Sequence, residues 1–119
     1  MNPPEIEILT LPMGDAPMPP LPGVPLCDFC TGVPVSTAFR TSHRIIIRIA
    51  GKVVHDHDVA PWMACAACAP SVESRDVDVL VQRAIIATGM LMGDPFGVIP
   101  RLFAEVVKRV VERTELVLP

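Results

Sequence analysis

A chain of 119 residues is one domain's worth, long enough to bury one modest core and too short for two. Half of the residues are apolar, yet there is no Tyr, one Trp (Trp62) and four Phe, so the core must rest mainly on Val, Ile, Leu, Met and Ala, and a metal could supply the anchoring that large aromatics do not. The formal charge of −3 speaks against a whole-surface attraction to nucleic acid, and no apolar run reaches the length of a membrane span.

Residues 1–26 hold many of the 14 prolines, including Pro17, Pro19, Pro20, Pro22 and Pro25, and show no sustained period of two or 3.6. This predicts a disordered or extended leader ahead of a domain spanning 27–119. The start of the chain lacks the basic opening and apolar stretch of a signal peptide, which points to the cytoplasm. In that reducing setting, paired cysteines are more often metal ligands or redox groups than disulfides.

From Thr37 to His55 the composition shifts to strand formers. Ile45, Ile47 and Ile49 fall on one side, with Arg44, Ile46, Arg48 and Ala50 on the other. Gly51 and Lys52 separate this run from Val53-Val54-His55, which predicts a β-hairpin turning at Ala50-Gly51 or Gly51-Lys52. Beyond Cys68 the pattern becomes helical: Val77, Leu80, Val81, Ala84 and Ile85 recur at helical spacing behind caps at Ser74 or Asp76. A break over 90–100, marked by Gly93-Asp94-Pro95 and Gly97, precedes a last amphipathic helix. There Leu102, Phe103, Val106, Val107, Val110 and Val111 line one side, and Arg101, Glu105, Lys108, Arg109, Glu112 and Arg113 the other. So wide a stripe predicts cover from the preceding helix on one flank and from a second copy or a partner on the other.

All four cysteines fall into two matched pairs, Cys27-Asp28-Phe29-Cys30 and Cys65-Ala66-Ala67-Cys68, with 34 residues between them. A C-x-x-C turn points two thiolates at one centre while its backbone amides donate to the sulfurs, and two such turns complete the tetrahedral shell of one structural zinc ion. Gly32 is expected to take the positive φ that such a turn tends to need. A thioredoxin-like redox site, with one C-x-x-C opening a helix, fits two matched pairs less well. Pro70 restricts the helix after the second pair: either it is one turn long, or it begins at Pro70.

The residues Cys27-Asp28-Phe29-Cys30, Phe39-Arg40 and Trp62-Met63-Ala64-Cys65-Ala66-Ala67-Cys68 resemble short zinc-finger-like proteins of actinobacteria and their phages, over about residues 27 to 86. The resemblance implies a treble-clef-like or zinc-ribbon-like metal site and carries no catalytic residues across. Asp56-His57 followed by Pro61, framed by the cysteine pairs, is also similar to the catalytic element of HNH nucleases. Only seven residues separate His57 from Cys65, the connecting Asn has no counterpart and no His follows Cys68, so that ligand set is incomplete. Arg40, Arg44, Arg48 and Lys52 would share the exposed side of the hairpin if the isoleucines face inward. This basic strip offers nucleic-acid contact without interleaved aromatics for base stacking. The expectation is therefore an α+β zinc-binding domain, two C-x-x-C turns flanking a β-hairpin with two or three C-terminal helices after them, acting as a non-catalytic protein-interaction or regulatory module. A nucleic-acid-binding zinc finger and a degenerate HNH-type nuclease are the rival readings.

Overall fold

Six strands and three helices make an α+β fold in the computed structural model of the chain, which describes residues 5–13, 26–57, 60–89 and 97–116. In chain order these are β1 (Ile6–Pro12), β2 (Val35–Thr41), β3 (His43–Ile49), β4 (Lys52–Asp56), β5 (Trp62–Cys65), α1 (Ala69–Glu73), α2 (Val77–Thr88), α3 (Val98–Arg109) and β6 (Val110–Glu115). They form two antiparallel sheets, ordered β1-β3-β4 and β5-β2-β6. Only Ser42 separates β2 from β3, yet the two strands belong to different sheets. The corner is pinned on both sides, because Ser42 N–H donates to the Arg109 carbonyl at the end of α3 while its own carbonyl accepts from Met13 N–H.

The hairpin forms where the alternation places it. Ile45 and Ile47 are buried, and the reversal falls on Ala50 (φ 52°) and Gly51 (φ 80°), the pair of left-handed residues that a two-residue turn of matching twist requires. A Cβ at Gly51 would meet nothing within 4 Å, so any cost of replacing it comes from the backbone alone. Gly51→Val should lower stability by about 1–2 kcal/mol, read as a shift of the urea midpoint, with the metal stoichiometry unchanged.

The leader is partly built into the domain. Ile6–Pro12 pairs along the whole of β3, from Ile6 opposite Ile49 to Pro12 opposite His43, so the structured unit begins well before residue 27. Its alternation is weak because β1 is half-buried on both faces, and pairing to β3 decides its conformation. Prolines 17, 19, 20, 22 and 25, and the break at 93–95, lie outside the described residues.

The last predicted helix is cut short. α3 ends at Arg109, and Val110 (ψ 127°) begins a strand that pairs with β2 from Thr41 to Thr37. Helical periodicity continues through Val110 and Val111, but β2 presents an open edge to this segment, and two β-branched valines followed by Glu-Arg-Thr-Glu satisfy a ladder as readily as a helix. Ion pairs fasten the strand: Glu112 to Arg40 (3.0 Å) and Arg113 to Glu73 (2.7 Å). The apolar side that remains on α3, Leu102, Phe103, Val106 and Val107, is buried within the chain, and Val111, placed on the same stripe by its spacing, is 55% exposed on β6. The stripe expected to meet a second copy on one flank is thus divided between α3, where these four residues are buried, and β6.

α2 starts at Asp76, whose carboxylate accepts from Val79 N–H, and stops at the left-handed Gly89. The core joins Phe39, Ile45 and Ile47 to Leu80, Ala84, Phe103 and Val106, with the four cysteines part of the same cluster.

Candidate metal centre

The first cysteine turn is tied down by its own middle residues. Phe29 is buried between Trp62 of β5 (centroids 6.0 Å apart) and Phe103 of α3 (5.1 Å, edge-on). Asp28 takes both backbone groups of Met63: its N–H donates to the Met63 carbonyl (2.8 Å) and its carboxylate accepts from Met63 N–H (2.6 Å). This caps the outer edge of β5 and fixes the first turn beside the strand that delivers Cys65. Desolvation pushes the Asp28 pKa up, opposed by the Met63 amide and by the charges of His57 and His55. Asp28→Ala, which leaves the Met63 amide without its acceptor, should cost about 1–3 kcal/mol in equilibrium unfolding of the metal-loaded protein. Asp28→Asn keeps an accepting oxygen and should cost less.

The second turn is built from a strand end and a helix start. Cys65 is the last residue of β5, Cys68 is the N-cap of α1, and Ala66 and Ala67 form the turn between them. Pro70 stands at the second position of this five-residue helix, where no intrahelical donor is missed.

Both turns treat their leading sulfur alike. Backbone amides of Cys30 and Phe29 are directed at the Cys27 sulfur, and those of Cys68 and Ala67 at the Cys65 sulfur. The left-handed residue of the first turn is Thr31 (φ 63°), in place of the expected Gly32. Gly32 serves another need: a Cβ there would lie 3.2 Å from the Cys30 sulfur, so its lack of a side chain makes room for the thiolate.

The four sulfurs converge. Cys27, Cys30, Cys65 and Cys68 are all buried and unbridged, and their Sγ atoms lie within 4.8 Å of one another, with Cys30 and Cys65 3.6 Å apart. Four thiolates around a tetrahedral ion at a bond length near 2.3 Å have sulfur–sulfur edges of about 3.8 Å, so this donor set fits one metal ion. The thiols are unequal without one. Burial pushes Cys27 up, with the amides pulling back, and pushes Cys68 up against the pull of Arg83. At Cys65 burial is outweighed by the Cys68 amide, the Cys30 sulfur and the Ala67 amide, which bring the thiol down to about 7. A divalent cation among them would favour the thiolate form of all four.

A cation from outside the two turns completes the surroundings. Arg83 Nε, on α2, donates to the Cys68 sulfur at 3.3 Å, offsetting part of the charge that four thiolates concentrate, and its own pKa is raised by this contact. The chain matches no known protein family, no characterised protein and no solved structure.

The basic strip does not assemble as expected. Arg40 lies on β2, in the other sheet, because the chain leaves that sheet at Ser42. It pairs with Glu112, Arg44 with Asp56 through a two-pronged contact (Nε to Oδ1, 2.9 Å), and Arg48 with Glu7 (2.7 Å); Lys52 is exposed. The HNH-like residues also have other partners. Asp56 is held by Arg44, while the His57 ring stacks on Trp62 (3.8 Å, 11°) and its Nε2 donates to the Pro61 carbonyl (3.0 Å). His55, whose pKa burial pushes down, lies with its ring 6.2 Å from Trp62. Reading the sequence missed Asp28, Phe29 and Arg83. An apolar Phe inside a C-x-x-C turn is a legible hint of anchoring, whereas nothing local marks Arg83, which the packing of α2 brings to a cysteine 15 positions away.

Proposed function

We propose that the chain is a non-catalytic zinc-binding module in which one structural zinc ion, held by Cys27, Cys30, Cys65 and Cys68, fixes the fold and the outer surface serves a protein partner or a regulatory contact. The observation that carries this reading is the closed, buried shell of four sulfurs, which leaves a bound ion no open position for substrate. Sulfur-only tetrahedral ligation suits zinc or iron, and zinc is favoured because it needs no redox support. A first turn, a hairpin, and a second pair leading into a helix also support a treble-clef-like description. Val53 and Val54, both more than half exposed on the edge strand β4, offer a partner an apolar pair beside an open strand edge.

Native mass spectrometry of the purified protein is the test, with one zinc per chain expected. A fully folded metal-free preparation, or a coloured iron-loaded one, would overturn the reading. A pull-down from the native host then reports the partner and its stoichiometry.

The engagement of Arg40, Arg44 and Arg48 by carboxylates favours a protein partner over nucleic acid. No measurable DNA or RNA binding is expected at physiological salt. Tight binding whose salt dependence flattens by about two phosphate contacts in the Arg44→Ala/Arg48→Ala double variant would reverse that ranking.

A further inference from the structure

The four cysteines are not equally sheltered. Cys27 and Cys68 are 1% and 0% exposed, whereas Cys30 and Cys65 are 5% and 8% exposed and both line a surface cavity of about 430 Å³. Val33, Pro34, Ala66, Ala67, Arg83 and Leu116 form much of its remaining wall. The two cysteines that line this cavity also carry the pair of sulfurs 3.6 Å apart, one from each turn.

We infer that Cys30 and Cys65 form a peroxide-sensitive modification site, at which oxidation joins the two turns by a Cys30–Cys65 disulfide and abolishes metal binding. This rests on the zinc reading above. Cys30 and Cys65 line the cavity and Cys27 and Cys68 do not, and exposure to a small oxidant governs which cysteines oxidise. A Cys65 thiolate attacks one oxygen of hydrogen peroxide, the O–O bond breaks, and sulfenic acid and hydroxide form. The Cys30 thiolate then attacks that sulfur, closing the S–S bond and expelling a second hydroxide. Each sulfur has lost one electron and the peroxide has gained two. Cys27 and Cys68 alone remain as donors, too few to retain the ion.

The experiment uses zinc-loaded full-length protein prepared without oxygen. Hydrogen peroxide is added stepwise, released zinc is read with a chromogenic chelator, and free thiols are alkylated before mass mapping of unreduced peptides. One zinc should be released for each peroxide consumed, with the Cys30–Cys65 cross-link as the first product and Cys27 and Cys68 alkylated. Val33→Phe, at an exposed wall position of the cavity outside both cysteine turns, should slow release several-fold without changing zinc content or melting temperature. A first product joining Cys27 to Cys30 or Cys65 to Cys68, release without any disulfide, or an unchanged rate in the Val33→Phe protein would overturn the proposal. If the zinc reading itself is wrong, the protein fails at metal loading, before peroxide is added, so the two failures are distinguishable.

Discussion

Cys65→Ser should give a protein that carries no zinc and does not complete its fold. A structural zinc site contributes on the order of 10 kcal/mol to folding, comparable with the whole stability of a small domain, which lies at roughly 5–15 kcal/mol. The loss would not stay local. Cys65 ends β5, Cys68 caps α1, and the first turn is held to β5 through Asp28 and to α3 through Phe29, so an ion held by the four sulfurs would close a circuit of elements distant in sequence. Trp62, 3% exposed and stacked on His57, is the only tryptophan in the chain and reports the outcome directly. Its emission should shift to the red in the variant and in wild-type protein stripped by a strong chelator, and added zinc should restore it in the wild type alone. A Cys65→Ser protein that is free of zinc and keeps the wild-type melting curve would show that the site is not structural.

Val107→Asp and Val111→Asp should differ sharply, although the two valines are only four positions apart on what reads as one helical stripe. Val107 is 4% exposed on α3, among Leu102, Phe103 and Val106. A carboxylate placed there loses its water without gaining a partner, at a cost of several kcal/mol, enough to unfold a domain of ordinary stability. Val111 lies beyond the end of the helix, on β6, and faces solvent. Its replacement by Asp forfeits some strand propensity, a cost of about 1 kcal/mol or less. Urea unfolding of both variants by circular dichroism measures the contrast. Equal and large losses would mean that the helix runs on through Val111 and that its stripe is buried throughout.

The cluster of four cysteines was legible in the sequence because its chemistry is local. Each C-x-x-C turn sets two sulfurs and the amides directed at the leading one within four residues, and two pairs with no cysteine left over suffice to single out the four sulfurs that the fold brings together. The hairpin was legible for the same reason, since strict alternation in Ile45, Ile47 and Ile49 and a glycine at the reversal are properties of one short segment. What the tertiary structure alone decided are choices between conformations of nearly equal local free energy. Ile6–Pro12 is a strand because β3 offers it a ladder, and Val110–Glu115 is a strand because β2 has a free edge, although the apolar spacing there suits a helix. The move of Arg40 into the other sheet follows from the bend at Ser42, where the α3 carbonyl of Arg109 waits for the Ser42 amide. Arg83 reaches the Cys68 sulfur because α2 packs against α1, whose N-cap is Cys68. Each of these depends on a partner 15 or more positions away, and periodicity within a single segment holds no record of such a partner.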